Sequence, residues 1–88
     1  MDDYPYLTDA ISRIITRLRE EAGYSKNKLA DLSSIDRVYL LQIEQGKYRP
    51  TLNTIFFLAE AFNMAPQTLV EKIEKERLCL KNKYCGHE

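Results

Sequence analysis

The stretch from Ser25 to Gly46 constrains the fold of this chain more than any other part of the sequence. Apolar residues recur at helical spacing after Ser25 and again after Asp36, and serine and aspartate are both favoured N-cap residues. The apolar positions are Leu29, Ala30 and Leu32 in the first segment, and Leu40 and Ile43 in the second. Only a sharp corner fits between the segments, and glycine commonly follows the end of a helix. The stretch therefore predicts a helix-turn-helix, whose second helix can lie in the major groove of DNA.

The same stretch resembles a known family. The matching positions are Gly23, Ser25, Leu29, Ala30, Ile35, Arg37, Ile43, Glu44, Gly46, Lys47, Pro50 and Leu52. Together they look like the pattern of Cro/CI-type regulators, the lambda-repressor-like (XRE) family, and the similarity extends from about residue 11 to residue 69. It implies an all-α, five-helix lambda-repressor-like DNA-binding domain with an extended C-terminal helix. Residues 35–39 are also similar, over a much shorter stretch, to the recognition helices of restriction–modification controller proteins.

Length and composition indicate a single domain, residues 1–88, with a modest core. We divide it into a helix-turn-helix core, residues 8–75, and a C-terminal tail, residues 76–88. No apolar run approaches the roughly 18 residues of a transmembrane helix, and no signal peptide is visible, so we expect a cytoplasmic protein. Cys79 and Cys85 lie near the C-terminus, and in a reducing cytoplasm we expect free thiols.

Formal charge is distributed unevenly although the net charge of the chain is zero. Residues 23–50 carry a net charge of +2 and residues 1–22 a net charge of −2, while residues 51–88 are balanced. The basic excess thus coincides with the helix-turn-helix. Because it is small, we expect only a few phosphate contacts per subunit.

Three further helices are predicted around this motif. The first is capped by Thr8 or Asp9 and runs to about Ala22, after a loosely held arm over residues 1–7. Thr51 caps the fourth helix, and Pro66 suits the first position of the fifth. Their predicted apolar faces are Ile11, Ile14, Ile15 and Leu18; Leu52, Ile55, Leu58, Ala59 and Phe62; and Leu69, Val70 and Ile73.

The outward residues of the third helix, about residues 36–45, are the candidates for contact with DNA. The family resemblance implies base contacts for Arg37, Val38 and Gln42. Arginine can bond guanine bidentately, glutamine can bond adenine, and valine can touch a thymine methyl. Phosphate contacts are predicted for Lys26, Tyr39, Gln45, Lys47, Tyr48 and Arg49. Tyr39 has an alternative role, packing beside the second helix.

Two other sets of residues carry structural predictions. The resemblance implies that Arg19 pairs with Glu44 and ties the first helix to the third. Where the family often has a left-handed glycine in the turn, this chain has Ser34, at a cost of about 1 kcal/mol. A homodimer interface is predicted from exposed apolar side chains of the last two helices and the tail: Phe56, Phe57, Leu78, Leu80 and Tyr84.

The sequence gives little support to enzymatic function. Its only histidine is His87, and it has no glycine-rich phosphate loop, paired-carboxylate cleft or nucleophile–base pair. Cys79, Cys85 and His87 would supply at most three zinc ligands, without CxxC spacing. We therefore expect a transcriptional regulator that binds double-stranded DNA as a homodimer, without a cofactor, metal, membrane or small-molecule ligand. Leu41, apolar and outward, keeps an alternative open, in which the fold serves as a protein-interaction module such as an antitoxin or anti-regulator.

Overall fold

Five helices make up residues 4–85, the part of the chain that the computed structural model describes, with side chains through residue 83. They are α1 (Leu7–Ala22), α2 (Lys26–Ser33), α3 (Arg37–Glu44), α4 (Leu52–Ala61) and α5 (Pro66–Cys85). No strand occurs within residues 4–85. The predicted all-α, five-helix fold is confirmed. No helix in this range combines the length and apolar character that crossing a membrane would require.

One hydrophobic core joins the five helices. α1 packs on α3 and α5, α2 packs on α3 and α4, and α4 packs on α5. The largest fully buried apolar side chains come from every helix: Ile15, Leu29, Leu40, Ile43, Leu58 and Leu69. Burying one such side chain stabilises a fold by about 1.5–3 kcal/mol. The helix-turn-helix, α2 and α3, is therefore held by α1 and α4, which in turn pack on α5, rather than by its own contacts alone.

Side-chain caps fix the predicted starts of three helices. The Ser25 hydroxyl accepts a hydrogen bond from the Lys28 amide (3.0 Å) at the start of α2. The Asp36 carboxylate accepts from the Val38 amide (3.0 Å) at the start of α3. Thr51 caps α4 through its hydroxyl. Between α2 and α3, Ser34 adopts the left-handed conformation expected for the turn, with φ of 59°.

The start of α1 differs from the prediction. The helix begins at Leu7, so that Thr8 and Asp9 lie inside its first turn. Tyr6 occupies the cap position with φ of 64° and makes no side-chain cap hydrogen bond. The amide of Leu7 instead bonds the carbonyl of Tyr4 (2.9 Å), so a backbone turn takes the place of a polar cap.

Three residues at predicted apolar positions are exposed. Leu32 is 40% exposed, Leu52 68% and Val70 47%. In α4 the inward face includes Thr54, which is 6% exposed and bonds the Thr51 hydroxyl. With 3.6 residues per turn, Leu52 lies roughly 100° away from the centre of that face. The prediction that Leu52 lies on the buried face of α4, made from its apolar character alone, was therefore wrong.

α5 continues unbroken past residue 75, the predicted end of the core. Leu80 is 3% exposed and Arg77 is 8% exposed, so the second half of α5 is packed into the fold. The Arg77 guanidinium bonds Glu74 (2.7 and 3.1 Å) and the carbonyl of Pro5 (3.4 Å), and it lies 4.8 Å from the centroid of the Tyr4 ring. The hydrogen bond to Arg77 lowers the pKa of Glu74, and the same bond raises the pKa of Arg77. Tyr4 and Pro5, part of an arm predicted to be loose, are thus held against α5.

Candidate nucleic-acid interface

α3 separates residues that face the core from residues that face solvent. Leu40 and Ile43 are fully buried, whereas Arg37 is exposed and Val38 is 55% exposed. Gln42 and Leu41, one turn further along the same side, are partly buried. The three residues predicted to contact bases, Arg37, Val38 and Gln42, therefore share the side of α3 that points away from the core.

The position of α3 is fixed at its C-terminal end by α1. The Arg19 guanidinium bonds both carboxylate oxygens of Glu44, at 2.8 and 3.2 Å, and the two side chains are only 13% and 5% exposed. Arg19 also donates to the carbonyl of Tyr24 (3.0 Å), and the Ser12 hydroxyl donates to the carbonyl of Glu44. A bidentate arginine–carboxylate pair fixes orientation as well as distance. The pair that the resemblance implies therefore holds the outward face of α3 in one orientation.

Polar and basic residues flank α3 along the chain. Lys26 is the first residue of α2, and α3 is followed by an exposed series of side chains at Gln45, Lys47, Tyr48 and Arg49. The Lys47 amide bonds the carbonyl of Gln42 (2.9 Å), and Gly46 has φ of 76°, so the chain turns immediately after the helix. Exposed cations and amides next to a helix that can enter a groove are suited to phosphate oxygens.

Tyr39 differs from the other residues predicted to contact phosphate. Its side chain is partly buried and packs against the core. The predicted alternative, packing beside α2, is compatible with this position and stays a prediction. A contact between the Tyr39 hydroxyl and DNA stays a prediction.

A second surface lies on the outer side of α4. Phe56 is 53% exposed and Phe57 is 38% exposed, and both line a groove of about 480 Å³. The other residues that line this groove, which we call the α4 groove, are Asn53, Glu60, Asn63, Met64 and Pro66. The sequence prediction included the two phenylalanines but omitted Asn53 and Glu60. Their spacing could have identified them, because residues 53, 56, 57 and 60 share one side of a helix.

The tail residues predicted for the dimer interface have different positions. Leu78 is 43% exposed and is available to a partner. Leu80 is not available, because its side chain is buried in the core of its own chain. The Leu80 prediction was therefore wrong, while the Tyr84 side chain lies outside the described residues.

No cluster of metal-binding side chains is found in the part of the chain that the structure describes. Cys79 is an exposed free thiol. The Cys85 side chain and His87 lie outside the described residues.

Comparison with known proteins identifies the family of the helix-turn-helix. A helix-turn-helix family model matches residues 15–69. The HTH-type transcriptional regulator SutR of Escherichia coli K12 is 28% identical over 60 residues, which cover 68% of this chain and 34% of SutR. The chain thus spans about a third of the length of that relative.

Two solved structures resemble most of this chain in fold. The restriction–modification controller protein C.AhdI of Aeromonas hydrophila is 33% identical, with a TM-score of 0.68 over 75% of this chain and 98% of that chain. The controller protein C.Esp1396I, solved as a tetramer in complex with its natural 35-base-pair operator, is 25% identical, with a TM-score of 0.76 over 85% of this chain and 99% of that chain. The short likeness of residues 35–39 to controller proteins thus extends to the fold. This chain belongs to the helix-turn-helix family of the Cro/CI (XRE) type.

Proposed function

We propose that this protein is a sequence-specific DNA-binding transcriptional regulator that acts as a cytoplasmic homodimer, with α3 in the major groove. The observation that carries the proposal is that one side of α3 is buried in the core and the opposite side faces solvent. Leu40 and Ile43 anchor one side in the core, and the opposite side presents Arg37 and Val38 to solvent. The major groove of B-DNA admits an α-helix, so an anchored helix whose other side faces solvent is suited to enter it.

The outward side chains of α3 are assigned to base edges. Arg37 can form two hydrogen bonds with guanine, and Gln42 can do the same with adenine. Val38 can contact a thymine methyl, a role that suits an exposed aliphatic side chain. One good bidentate contact discriminates against the wrong base by about 1–3 kcal/mol. Three such residues would define a short half-site.

The flanking residues are assigned to the phosphate backbone. Lys26 lies at the start of α2, and Lys47 and Arg49 follow α3, where they can bind phosphates on either side of the groove. Gln45 and Tyr48 can donate hydrogen bonds to phosphate oxygens in the same region. These contacts would position α3 without reading sequence, and they would make binding sensitive to salt.

A homodimer is proposed because one short half-site is too little to specify an operator. Helix-turn-helix proteins commonly bind two half-sites about 34 Å apart as dimers. The α4 groove supplies an apolar surface for a second copy, with Phe56 and Phe57 both exposed. The likeness to C.Esp1396I, whose structure is a tetramer on its operator, supports self-association on DNA.

A second candidate function is a protein-interaction module that keeps the fold without binding DNA. The observation in its favour is apolar exposure on α3 itself, since Val38 is 55% exposed and Leu41 is incompletely buried. A partner protein could cover these side chains in place of the thymine methyl groups of an operator.

Selection of duplexes from a random pool, followed by a salt titration on the enriched sequence, tests the proposal and distinguishes the two candidates. We expect enrichment of a two-fold symmetric sequence whose half-sites are about one helical turn apart. At concentrations that keep the protein dimeric, the affinity for this sequence should fall linearly on a log–log plot against salt concentration, with a slope set by the number of phosphates contacted. A scrambled duplex of the same length is the control. Failure to enrich any sequence would refute sequence-specific DNA binding and favour the protein-interaction module.

A further inference from the structure

The proposed dimer surface carries negative charge and lacks cations of its own. From Pro50 to Glu71 the sequence contains two charged residues, Glu60 and Glu71, and no lysine or arginine. Both carboxylates are exposed. This segment includes all of α4 and the start of α5, so it supplies the whole α4 groove.

Glu60 lies within that surface rather than at a distance from it. It lines the α4 groove together with Phe56 and Phe57. The nearest cations of α5 along the chain, Lys72 and Lys75, line a different groove, between α5 and α1. No described residue that lines the α4 groove carries a positive charge. The groove therefore supplies no counter-charge to the Glu60 carboxylate from its own subunit.

Two-fold symmetry brings the Glu60 carboxylates of the two subunits toward each other. In a two-fold dimer the same patch of both subunits forms the interface. A dimer made through the α4 groove thus brings two Glu60 carboxylates toward one apolar contact, and like charges that face each other oppose association. Salt screens this repulsion, because the Debye length falls from about 10 Å at 0.1 M to about 3 Å at 1 M ionic strength.

We propose that Glu60 limits the affinity of the homodimer, so that salt strengthens dimerisation while it weakens contact with DNA. This inference rests on the homodimer proposed above. Because operator binding requires the dimer, the two effects of salt act in opposition at low protein concentration. Removal of the Glu60 charge should then tighten both the dimer and operator binding, although Glu60 itself makes no contact with DNA in this arrangement.

Sedimentation equilibrium at about 0.1 M and about 1 M NaCl tests the proposal. The proteins compared are the wild type, Glu60→Gln, and Glu21→Gln as a matched control, since Glu21 is an exposed carboxylate on the α1 side of the molecule. At the lower salt concentration, Glu60→Gln should have a dimer Kd about fivefold below that of the wild type, the order expected for two charges a few ångströms apart in water. Its Kd should also respond less to salt, and Glu21→Gln should behave as the wild type does.

Operator binding gives a second readout. At protein concentrations below the wild-type dimer Kd, Glu60→Gln should occupy more operator than the wild type does. If the wild type is dimeric and Glu60→Gln has the same dimer Kd and the same salt response, the proposed role of Glu60 is wrong. The homodimer itself would not be contradicted by that result. Equal strengthening by salt in all three proteins would overturn the role of Glu60 too, because general salting-out of apolar surface would then be the cause. A wild type that stays monomeric at both salt concentrations would refute the homodimer as well.

Discussion

Arg37 and Lys26 distinguish sequence reading from backbone contact at the scale of single residues. Both are exposed, at the first positions of α3 and α2 respectively. Arg37→Ala should cost about 1–3 kcal/mol of specific binding and relax selectivity at one base pair, since a bidentate contact with guanine would be lost. Lys26→Ala should weaken specific and non-specific binding alike and reduce the salt slope by about one, since a phosphate contact carries no sequence information.

Competition between the selected operator and single-base variants measures the difference between these two mutants. Unchanged selectivity in Arg37→Ala would remove that residue from the base-reading set. A loss in Lys26→Ala that depends on the base sequence would contradict a phosphate contact.

The Arg19–Glu44 pair is a second prediction at this scale. Arg19→Met leaves the carboxylate of Glu44, now only 5% exposed, without its partner. Breaking one side of a buried pair typically costs about 3–5 kcal/mol, and we expect the lower end because Arg19 keeps some contact with solvent. Replacing both residues, as Arg19→Met with Glu44→Leu, should cost less than Arg19→Met alone. Urea denaturation measures the free energy of unfolding in each case.

Arg17→Met provides the matched control on the same helix. Arg17 pairs with Glu76 at 3.2 Å; the Arg17 side chain is 52% exposed, and Glu76, which is 11% exposed, keeps a second partner in Arg13 at 4.0 Å. Because Arg17 is exposed and Glu76 keeps Arg13, the free energy of unfolding should change by only about 0–1 kcal/mol. An Arg19→Met protein as stable as Arg17→Met would show that burial of the Glu44 carboxylate has no energetic consequence.

Predictability from sequence also differs from residue to residue. Ser25 and Asp36 were identified correctly because a cap depends on local hydrogen bonds that residue type alone favours. Arg19 and Glu44, 25 positions apart in the sequence, were paired only through the family resemblance. Leu52 was misplaced because its apolar character does not show on which side of α4 it lies, and it lies roughly 100° from the centre of the buried face. Local chemistry fixes caps, whereas tertiary packing fixes burial.

At the scale of elements, the extended C-terminal helix was predicted, but the burial of its second half was not. The sequence prediction placed the end of the helix-turn-helix core at residue 75. Arg77 is nevertheless buried, because its charge is met by Glu74, by the Pro5 carbonyl and by the Tyr4 ring. The partner atoms from the arm are about 70 residues away in sequence, beyond the range of any periodicity. The start of α5 at Pro66, by contrast, followed from the preference of proline for the first turn.

Leu80→Ala and Leu78→Ala test whether this half of α5 belongs to the core. The two leucines are two positions apart, but Leu80 is 3% exposed and Leu78 43%. Leu80→Ala should lower the free energy of unfolding by about 2–5 kcal/mol, because it creates a cavity in the core. Leu78→Ala should change it by no more than about 0.5 kcal/mol in the monomer, as for other surface substitutions. Equal effects in thermal or urea denaturation would contradict the packing of α5 described here.

At the scale of the whole molecule, the division of surfaces accounts for the proposed function. The outward side of α3 and its basic flanks are assigned to DNA, and the α4 groove is assigned to a second copy. A change in the α4 groove should therefore alter assembly without changing the half-site that α3 reads.

Phe57→Lys is the substitution that tests this separation. Phe57 is 38% exposed in the α4 groove, so a lysine should be tolerated by the fold but should place a charge in an apolar interface. We expect monomers in sedimentation, an unchanged helical circular dichroism spectrum, and loss of affinity for the full operator. Leu52→Lys is the matched control, because Leu52 is 68% exposed on the same helix and does not line the groove. If Phe57→Lys remains dimeric, the interface lies nearer to Leu78 than to Phe57. In that case Leu78→Lys should give monomers. Truncation after residue 75 could not make that distinction, since it would also remove Leu80 from the core.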